Sequence, residues 1–131
     1  MQMKLELVIV PVSDVDRALS YYRDGLGFAE DHDVRPADGV RVVQLTPPGS
    51  ACSVSFGTGL PVYTGSPPGS VTGLHLVVPD LEAARAELRS RGVEVGEVQD
   101  VGGGVRHAGL SDPDGNSLVL QEMAWRTGDT W

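Results

Sequence analysis

The run V-S-D-V-D-R-A, from Val12 to Ala18, returns 66 positions later as V-P-D-L-E-A-A, from Val78 to Ala84. The turn sequence P-P-G-S, from Pro47 to Ser50, returns at the same offset as P-D-G-N, from Pro113 to Asn116. Two separated matches at a single offset are hard to obtain by chance. They indicate that the chain contains two copies of one structural unit.

Both copies predict the same order of elements, which is one strand, one helix and then three strands. The first helix is capped by Ser13 or Asp14 and ends at Gly25. The second helix is capped by Asp80 and ends at Gly92. An apolar run opens each copy, and the other strands are expected near residues 28–34, 40–46, 51–57, 93–98, 104–111 and 116–122.

The repeat therefore predicts an α+β fold made of two tandem βαβββ modules. The modules are expected at about 1–65 and 66–131, within a single domain that spans 1–131. A linker rich in Gly, Pro and Ser, from Gly57 to Ser70, joins them. A chain of 131 residues is long enough to bury a core of its own.

Composition limits the classes of partner and the compartment. The net charge is −8 and no basic stripe offsets it, which argues against nucleic acid as a partner. No run of about 18 apolar residues is present, which argues against a membrane helix. Glu6 interrupts the apolar N-terminal run, which argues against a signal peptide, and the single cysteine, Cys52, excludes an internal disulfide. We expect a cytoplasmic protein with no nucleic-acid or membrane partner.

Side chains alternate across a strand, and one face of four predicted strands is consistently apolar. This face is expected to pack beneath the helices: Val8, Val10, Cys52, Val54, Phe56, Leu74, Leu76, Val78, Leu118 and Leu120. The opposite face, called the mixed face below, contains Leu5, Leu7, Ile9, Ala51, Ser53, Ser55, Gly73, His75, Val77, His107, Gly109, Ser111, Ser117, Val119 and Gln121. A partly polar face in a well-patterned sheet predicts a ligand cup.

The paired modules, the opening V-S-D-V-D-R-A-L-S-Y-Y…G-L-G-F and the hairpin S-D-P-D-G-N resemble the vicinal oxygen chelate superfamily. That group is also called the glyoxalase/bleomycin resistance/dioxygenase superfamily. The resemblance covers essentially the whole chain. It implies a cupped mixed β-sheet with the helices on its outer face, and it implies a homodimer.

In metal-dependent members of that family, the first and last strands of each module carry the metal ligands. The matching positions in this chain are Leu7, Ser53, Gly73 and Val119. None of them is His, Glu, Asp or Gln, whereas a divalent ion needs several converging N, O or S donors. The resemblance therefore implies a member without the usual metal site, and we expect no cofactor.

Three functions remain open. The first is a metal-free protein that binds a small organic molecule in the cup, similar to drug-sequestering resistance members. The second is a metal-independent enzyme of the isomerase or lyase type that uses His75 or His107 as acid or base. The third is a metal-dependent glyoxalase-like lyase or dioxygenase with displaced ligands, for which Glu122 is the natural partner of the histidines, although parity places it on the opposite face. The expected ligand contacts are Leu7, Arg41, Ser53, Ser55, Gly73, His75, Val119 and Gln121.

The remaining aromatic residues and the cysteine have structural expectations. The spacing of Tyr21, Tyr22 and Phe28 predicts core positions, and parity predicts an inert buried thiol at Cys52. Three further aromatic residues lie in the linker and the C-terminal tail, where they could line a ligand groove or form the dimer contact: Tyr63, Trp125 and Trp131.

Overall fold

The structure is a computed structural model, and it describes residues 1–126; Trp131 lies outside the described residues. The first module contains β1 (Leu7–Ile9), α1 (Val15–Leu19), β2 (Ala29–Ala37), β3 (Val40–Thr46) and β4 (Ser53–Thr58). The linker contains α2 (Pro61–Thr64). The second module contains β5 (Leu74–Val77), α3 (Leu81–Ser90), β6 (Gln99–Gly102), β7 (Val105–Ser111) and β8 (Ser117–Met123). The predicted α+β class and the tandem βαβββ order are confirmed.

The eight strands form two four-stranded sheets, with the orders β1-β4-β3-β2 and β5-β8-β7-β6. In each sheet the first strand pairs in parallel with the last, and the other neighbours are antiparallel. Within residues 1–126 no strand pairing joins one sheet to the other. Both β1 and β5 are therefore edge strands.

The helix-side faces of both sheets bury their side chains in one shared core. Val43 and Phe56 come from the first sheet, Leu118 comes from the second, and Leu19 and Leu81 come from α1 and α3. Each side chain of this kind contributes roughly 1.5–3 kcal/mol when it is fully buried. Because this core takes in both helix-side faces, the mixed face of each sheet points away from it.

The two long helical elements begin at the predicted caps. Asp14 accepts a hydrogen bond from the backbone amide of Arg17, and Asp80 accepts one from that of Ala83. After Leu19, the first helix continues as a π-helical turn, Ser20–Gly25, and so ends where the sequence predicts. No helix within residues 1–126 is long and apolar enough to cross a membrane.

The strand predicted near residues 93–98 is wrong, because β6 begins only at Gln99. Val93 and Val95 alternate with polar residues as strand residues do, and both are buried. They pack into the core as irregular chain, with one hydrogen bond from the Gly96 amide to the carbonyl of Gly109. The alternation of apolar and polar residues over 93–98 therefore indicates that one side of this segment is buried, and it does not indicate that the segment pairs in a sheet.

A buried carboxyl group, that of Asp112, ties the two modules together. The Tyr22 hydroxyl donates to Asp112 Oδ2 over 2.7 Å, and Asn116 Nδ2 donates both to that oxygen and to the carbonyl of Pro11. The neighbouring Tyr21 hydroxyl is buried without a hydrogen-bond partner within residues 1–126. Burial, assisted by the charge of Asp112, raises the pKa of Tyr21 to about 12.

Candidate functional site

Two histidines meet on the mixed face of the second sheet. His75 on β5 and His107 on β7 lie on either side of β8, and their ring centroids are 5.4 Å apart at an interplanar angle of 80°. Val119 on β8 pairs with His75, and Gln121 pairs with His107. His75 is exposed and the other three side chains are half-buried. The structure thus brings together four of the predicted site residues.

Hydrogen bonds determine which ring nitrogens carry the protons. His75 Nδ1 lies 2.5 Å from the carbonyl oxygen of Gly73, and a carbonyl only accepts, so Nδ1 donates and Nε2 of the neutral ring is a free acceptor. His107 Nε2 donates to Gln121 Oε1 over 2.7 Å, which leaves His107 Nδ1 as an acceptor. The amide group of Gln121 retains its own N–H donors. This face therefore offers two imidazole acceptors and the N–H donors of one amide group to a bound molecule.

The space above this group of residues is open. Gly109 lies directly opposite Val119 in the β7–β8 pairing, and a Cβ atom placed on it would meet no atom within 4 Å. Gly73 precedes β5 with a φ of +70°, and its amide donates to the Ser117 hydroxyl over 2.7 Å. The absence of side chains at the two glycines leaves room beside the histidines for a flat apolar group.

The first sheet presents a different mixed face, on which Ser53 is buried in a chain of hydrogen bonds. Gln44 Nε2 donates to Ser53 Oγ over 3.2 Å, and Ser53 Oγ lies 2.7 Å from Thr46 Oγ1. Thr46 Oγ1 in turn donates to the carboxylate of Asp31. Gln44 could have been found from the sequence, because strand alternation places it on the same face as Ser53.

Ser55 is also buried, beneath the linker helix α2. Its hydroxyl donates to the carbonyl of Val43 over 2.8 Å and accepts a bond of 2.9 Å from the Tyr63 hydroxyl. A Cβ atom on Gly57 would clash with the backbone carbonyl oxygen of Arg41 and lie only 2.7 Å from the Tyr63 ring, so this glycine permits both the close β3–β4 pairing and the approach of α2. Tyr63 thus packs over the first mixed face, and the serine hydroxyls are satisfied within the protein.

Arg41 lies on the helix side of the first sheet. Its guanidinium donates two bonds to Asp33, of 2.9 and 2.7 Å, and one of 2.8 Å to Asp16 in the first turn of α1. These bonds hold the pKa of Asp33 below its usual range. Strand parity explains the position, because residue 41 alternates with the core residues Val43 and Leu45. The structure therefore separates Arg41 from the other predicted ligand contacts.

The model of the Glyoxalase/Bleomycin resistance protein/Dioxygenase superfamily matches residues 4–120. The chain belongs to this superfamily. This finding confirms the resemblance seen in the repeat and the hairpin. No curated protein sequence matches the chain.

Solved structures of the superfamily are similar over most of the chain. TnmS3, an antibiotic binding protein from Streptomyces sp. CB03234, is 34% identical with a TM-score of 0.79, covering 93% of this chain and 97% of its own. A glyoxalase/bleomycin resistance protein from the same organism is 35% identical with a TM-score of 0.73, covering 89% and 98%. A superfamily member from Sphaerobacter thermophilus is 33% identical with a TM-score of 0.78, covering 92% and 98%.

The side chains at the four positions where the resemblance implies metal ligands do not fit a divalent ion. Leu7 and Val119 are apolar, and Gly73 has no side chain. The Ser53 hydroxyl is already bonded on both sides within the first sheet. Within residues 1–126 no group of three or more His, Cys, Asp or Glu side chains could hold a metal ion.

Glu122 takes no part in the group around the histidines. Its Oε1 accepts a bond of 2.9 Å from the Leu81 amide at the start of α3, and its Oε2 accepts two bonds from Arg106. The Leu81 amide first, and then Arg106, hold the pKa of Glu122 below its usual range. Glu122 therefore faces the helix side, as strand parity predicts.

The predicted site residues form two separate groups within one chain. The first sheet carries one group and the second sheet carries the other, and the two mixed faces point away from the shared core. The members are Leu7, Ser53 and Ser55 on the first sheet, and Gly73, His75, His107, Val119 and Gln121 on or beside the second. The prediction of a buried thiol at Cys52 is wrong, because Cys52 precedes β4 and is only half-buried. Trp125 is 60% exposed.

Proposed function

We propose that the protein binds a small organic molecule on its mixed faces without the help of a metal ion. The observation that carries this proposal is the accessible group formed by His75, His107 and Gln121 around Val119. Its hydrogen-bonding atoms are oriented by the protein and are left free toward the open side. A similar structure, TnmS3, is described as an antibiotic binding protein, which supports a small organic ligand and a role in drug sequestration.

The polarity of the group defines the ligand. Two imidazole acceptors, His75 Nε2 and His107 Nδ1, require O–H or N–H donors on the bound molecule, and the Gln121 amide can meet one acceptor. Val119 and the open space at Gly109 suit the apolar body of the same molecule. The expected ligand is therefore a largely apolar molecule that carries hydroxyl or amine groups at one edge.

A cup needs two walls, and the second wall in this proposal comes from another copy of the chain. The mixed face of the second sheet is open around Gly109, and on the first sheet Leu7 and Ile9 of the edge strand β1 are only half-buried. The first sheet of a second copy would place Leu7 and Ile9 opposite His75. Light scattering is expected to give about twice the chain mass of 13.8 kDa. A monomer at millimolar concentration would contradict the shared cup.

The binding proposal is tested by titrating the labelled protein with a panel of aromatic alcohols and amines. Saturable NMR shifts are expected at Val119, Gln121 and His107. His75→Ala should weaken the best binder by about 2- to 10-fold, which corresponds to one neutral hydrogen bond. The matched control is His32→Ala, which removes the third histidine, exposed on β2, and should leave the affinity unchanged. Equal losses in both variants would contradict the site.

The metal-free part of the proposal has its own measurement. Elemental analysis after growth with added Zn, Ni, Mn and Fe should give less than one bound ion per chain. One ion per chain that is lost in the His75→Ala variant would contradict a metal-free site and would favour a relocated metal centre.

A second candidate function is general-base catalysis by His75. The hydrogen bond to the carbonyl of Gly73 orients the imidazole so that Nε2 of the neutral ring points its lone pair to the exposed side, which is the geometry a general base needs. A bound carbonyl compound with an acidic C–H group would then exchange hydrogen with solvent. Exchange measured by NMR in D2O, present in the wild type and absent in His75→Ala, would establish this activity. A ligand recovered without exchange or conversion favours binding alone.

A further inference from the structure

The two modules meet at two equivalent junctions. At the first junction the turn Pro113–Asn116 contacts the end of β1, and at the second the turn Pro47–Ser50 approaches the end of β5. The equivalence is structural as well as sequential, because the turn glycines Gly49 and Gly115 have φ angles of +86° and +91°. Residues that are 66 positions apart can therefore be compared as structural counterparts.

The first junction is filled by the protein itself. The Tyr22 ring is 0% exposed, and its hydroxyl bonds to Asp112. Asn116 Nδ2 donates a bond of 2.8 Å to the carbonyl of Pro11, just beyond β1. The Tyr21 ring packs against Tyr22 edge to face, with the centroids 5.1 Å apart. An aromatic ring and an amide donor thus complete this junction.

The second junction contains a cavity of about 630 Å³ instead. Here the counterparts of Tyr22 and Tyr21 are Leu88 and Glu87, so neither aromatic ring is present. The counterpart of Asn116 is Ser50, whose hydroxyl donates to the carbonyl of Cys52 and does not reach across. The cavity therefore exists because three shorter or acyclic side chains replace the residues that fill the first junction.

The second junction also has an unused backbone acceptor. The counterpart of Pro11 is Val77, which lines the cavity. The Val78 amide donates to the carbonyl of Gln121, so in this parallel pairing Val77 directs its own carbonyl to the free edge of β5. The Pro11 carbonyl has an amide donor from Asn116, whereas the Val77 carbonyl accepts no hydrogen bond from the part of the chain that the structure describes, residues 1–126.

We propose that this cavity is a second ligand site, which takes a neutral aromatic ring that carries an O–H or N–H donor. The ring would occupy the volume that Tyr22 fills at the first junction, against Phe28, Leu76 and Leu88. The donor would bond to the Val77 carbonyl. The volume lies within the range of about 300–1,000 Å³ usual for small-molecule sites.

The charge at the rim of the cavity favours an uncharged ligand. Arg91 Nη2 donates a bond of 2.6 Å to the carboxylate of Glu87, and Arg91 Nη1 donates to the carbonyl of Gly25. The two opposite charges therefore neutralise each other before any ligand arrives. Most residues that line the cavity lie on the helix side of the second sheet, but His75 of the proposed cup also lines it at the edge strand β5, whereas His107 does not. A variant of His107 therefore changes the cup without changing the lining of the cavity.

The test is an NMR titration of the ¹⁵N-labelled protein with p-cresol, which is the tyrosine side chain as a free molecule, and with toluene, which lacks the hydroxyl. p-Cresol is expected to shift the backbone amides of Ala84 and Leu88 on α3. It should bind about 2- to 10-fold more tightly than toluene, the value of one neutral hydrogen bond. Shifts confined to residues around Val119, or no saturable shift on α3, would overturn the second site.

Two variants restore the features of the first junction. Ser50→Asn, at an exposed turn position, supplies an amide donor for the Val77 carbonyl and should remove most of the advantage of p-cresol over toluene. Leu88→Tyr places the missing ring in the cavity and should abolish binding of both probes. Ser50→Asn tests the proposal even if Leu88→Tyr folds poorly. If the ratio of the affinities for p-cresol and toluene is the same in Ser50→Asn as in the wild type, the role of the Val77 carbonyl is refuted.

His107→Ala separates this proposal from the proposed function. The imidazole lies on the mixed face, so its loss should weaken ligands of the cup and leave the p-cresol shifts on α3 unchanged. Loss of both kinds of binding in this variant would show that the cavity and the mixed face are a single site, which overturns the second site. Retention of p-cresol binding without any ligand for the cup would leave the cavity established and the proposed function refuted.

Discussion

Two adjacent tyrosines are expected to respond in opposite ways when each loses its hydroxyl. The Tyr22 hydroxyl donates to the buried Asp112 over 2.7 Å, and a hydrogen bond to a charged group contributes about 1.5–3 kcal/mol. Tyr22→Phe keeps the ring packing and removes this bond, so it should lower the free energy of unfolding by about that amount. The Tyr21 hydroxyl is buried with no partner within residues 1–126. Tyr21→Phe removes a desolvated group that makes no bond, and it should be neutral or should stabilise by up to about 1 kcal/mol.

Urea unfolding at pH 7, followed by far-UV circular dichroism, measures both effects. The midpoint should fall for Tyr22→Phe and should hold or rise for Tyr21→Phe, with the same denaturant slope in each because the buried area is nearly unchanged. In thermal melts, 1 kcal/mol corresponds to roughly 3–5 °C for a domain of this size. Equal losses in the two variants, or a larger loss for Tyr21→Phe, would refute the assignment of the inter-module hydrogen bond.

Three further perturbations follow from the positions of single residues. Thermal melts of His75→Ala should be close to those of the wild type because the imidazole is exposed. Leu118 is 1% exposed in the core, so Leu118→Ala should lower the free energy of unfolding by about 2–5 kcal/mol. Similar losses of stability in the two variants would show that His75 is structural. Because the pKa of Glu122 is lowered, its carboxylate stabilises the fold fully above the ordinary pKa of 4.5, and this stabilisation is lost as the pH falls through the folded pKa. Glu122→Gln should therefore destabilise the protein at pH 7 and flatten its acid unfolding curve. An unchanged curve would contradict this. Gly57→Ala would drive a Cβ atom into the backbone carbonyl oxygen of Arg41 and to 2.7 Å from the Tyr63 ring, so it should destabilise the protein in urea unfolding. A neutral result would show that both the β3–β4 pairing and α2 can shift to make room.

Local signals in the sequence were sufficient for most of the architecture. The caps Asp14 and Asp80 act through bonds within one helical turn, so residue type and spacing predict them. Alternation assigned Glu122 to the helix side correctly, because the two faces of a strand follow from backbone geometry alone. The strand near residues 93–98 was wrong because pairing in a sheet depends on a distant partner, and the burial of Val93 and Val95 resembles strand patterning without one.

The candidate site was less predictable, because the use of a polar group depends on its neighbours in space. The sequence placed Ser53 and Ser55 on the mixed face correctly, and only the structure shows Ser55 bonded to Tyr63 from the linker. Arg41 was expected to contact a ligand, but in the structure it forms salt bridges with Asp16 and Asp33, which come from other elements. Parity would have assigned Arg41 to the helix side if it had been applied to β3.

The sequence by itself determined the two modules, the capped helices, the apolar faces and the residue types at the positions where metal ligands were expected. These features follow from residue identity and from periods of two and 3.6 residues, which need no knowledge of distant contacts. Only the tertiary structure decided that the mixed faces are separate, that His75 and His107 meet, and that the second junction is hollow. Each of these three features depends on how side chains from elements far apart in the chain fill one volume. The sequence repeat predicts two equivalent junctions, and it does not show that only one of them is filled.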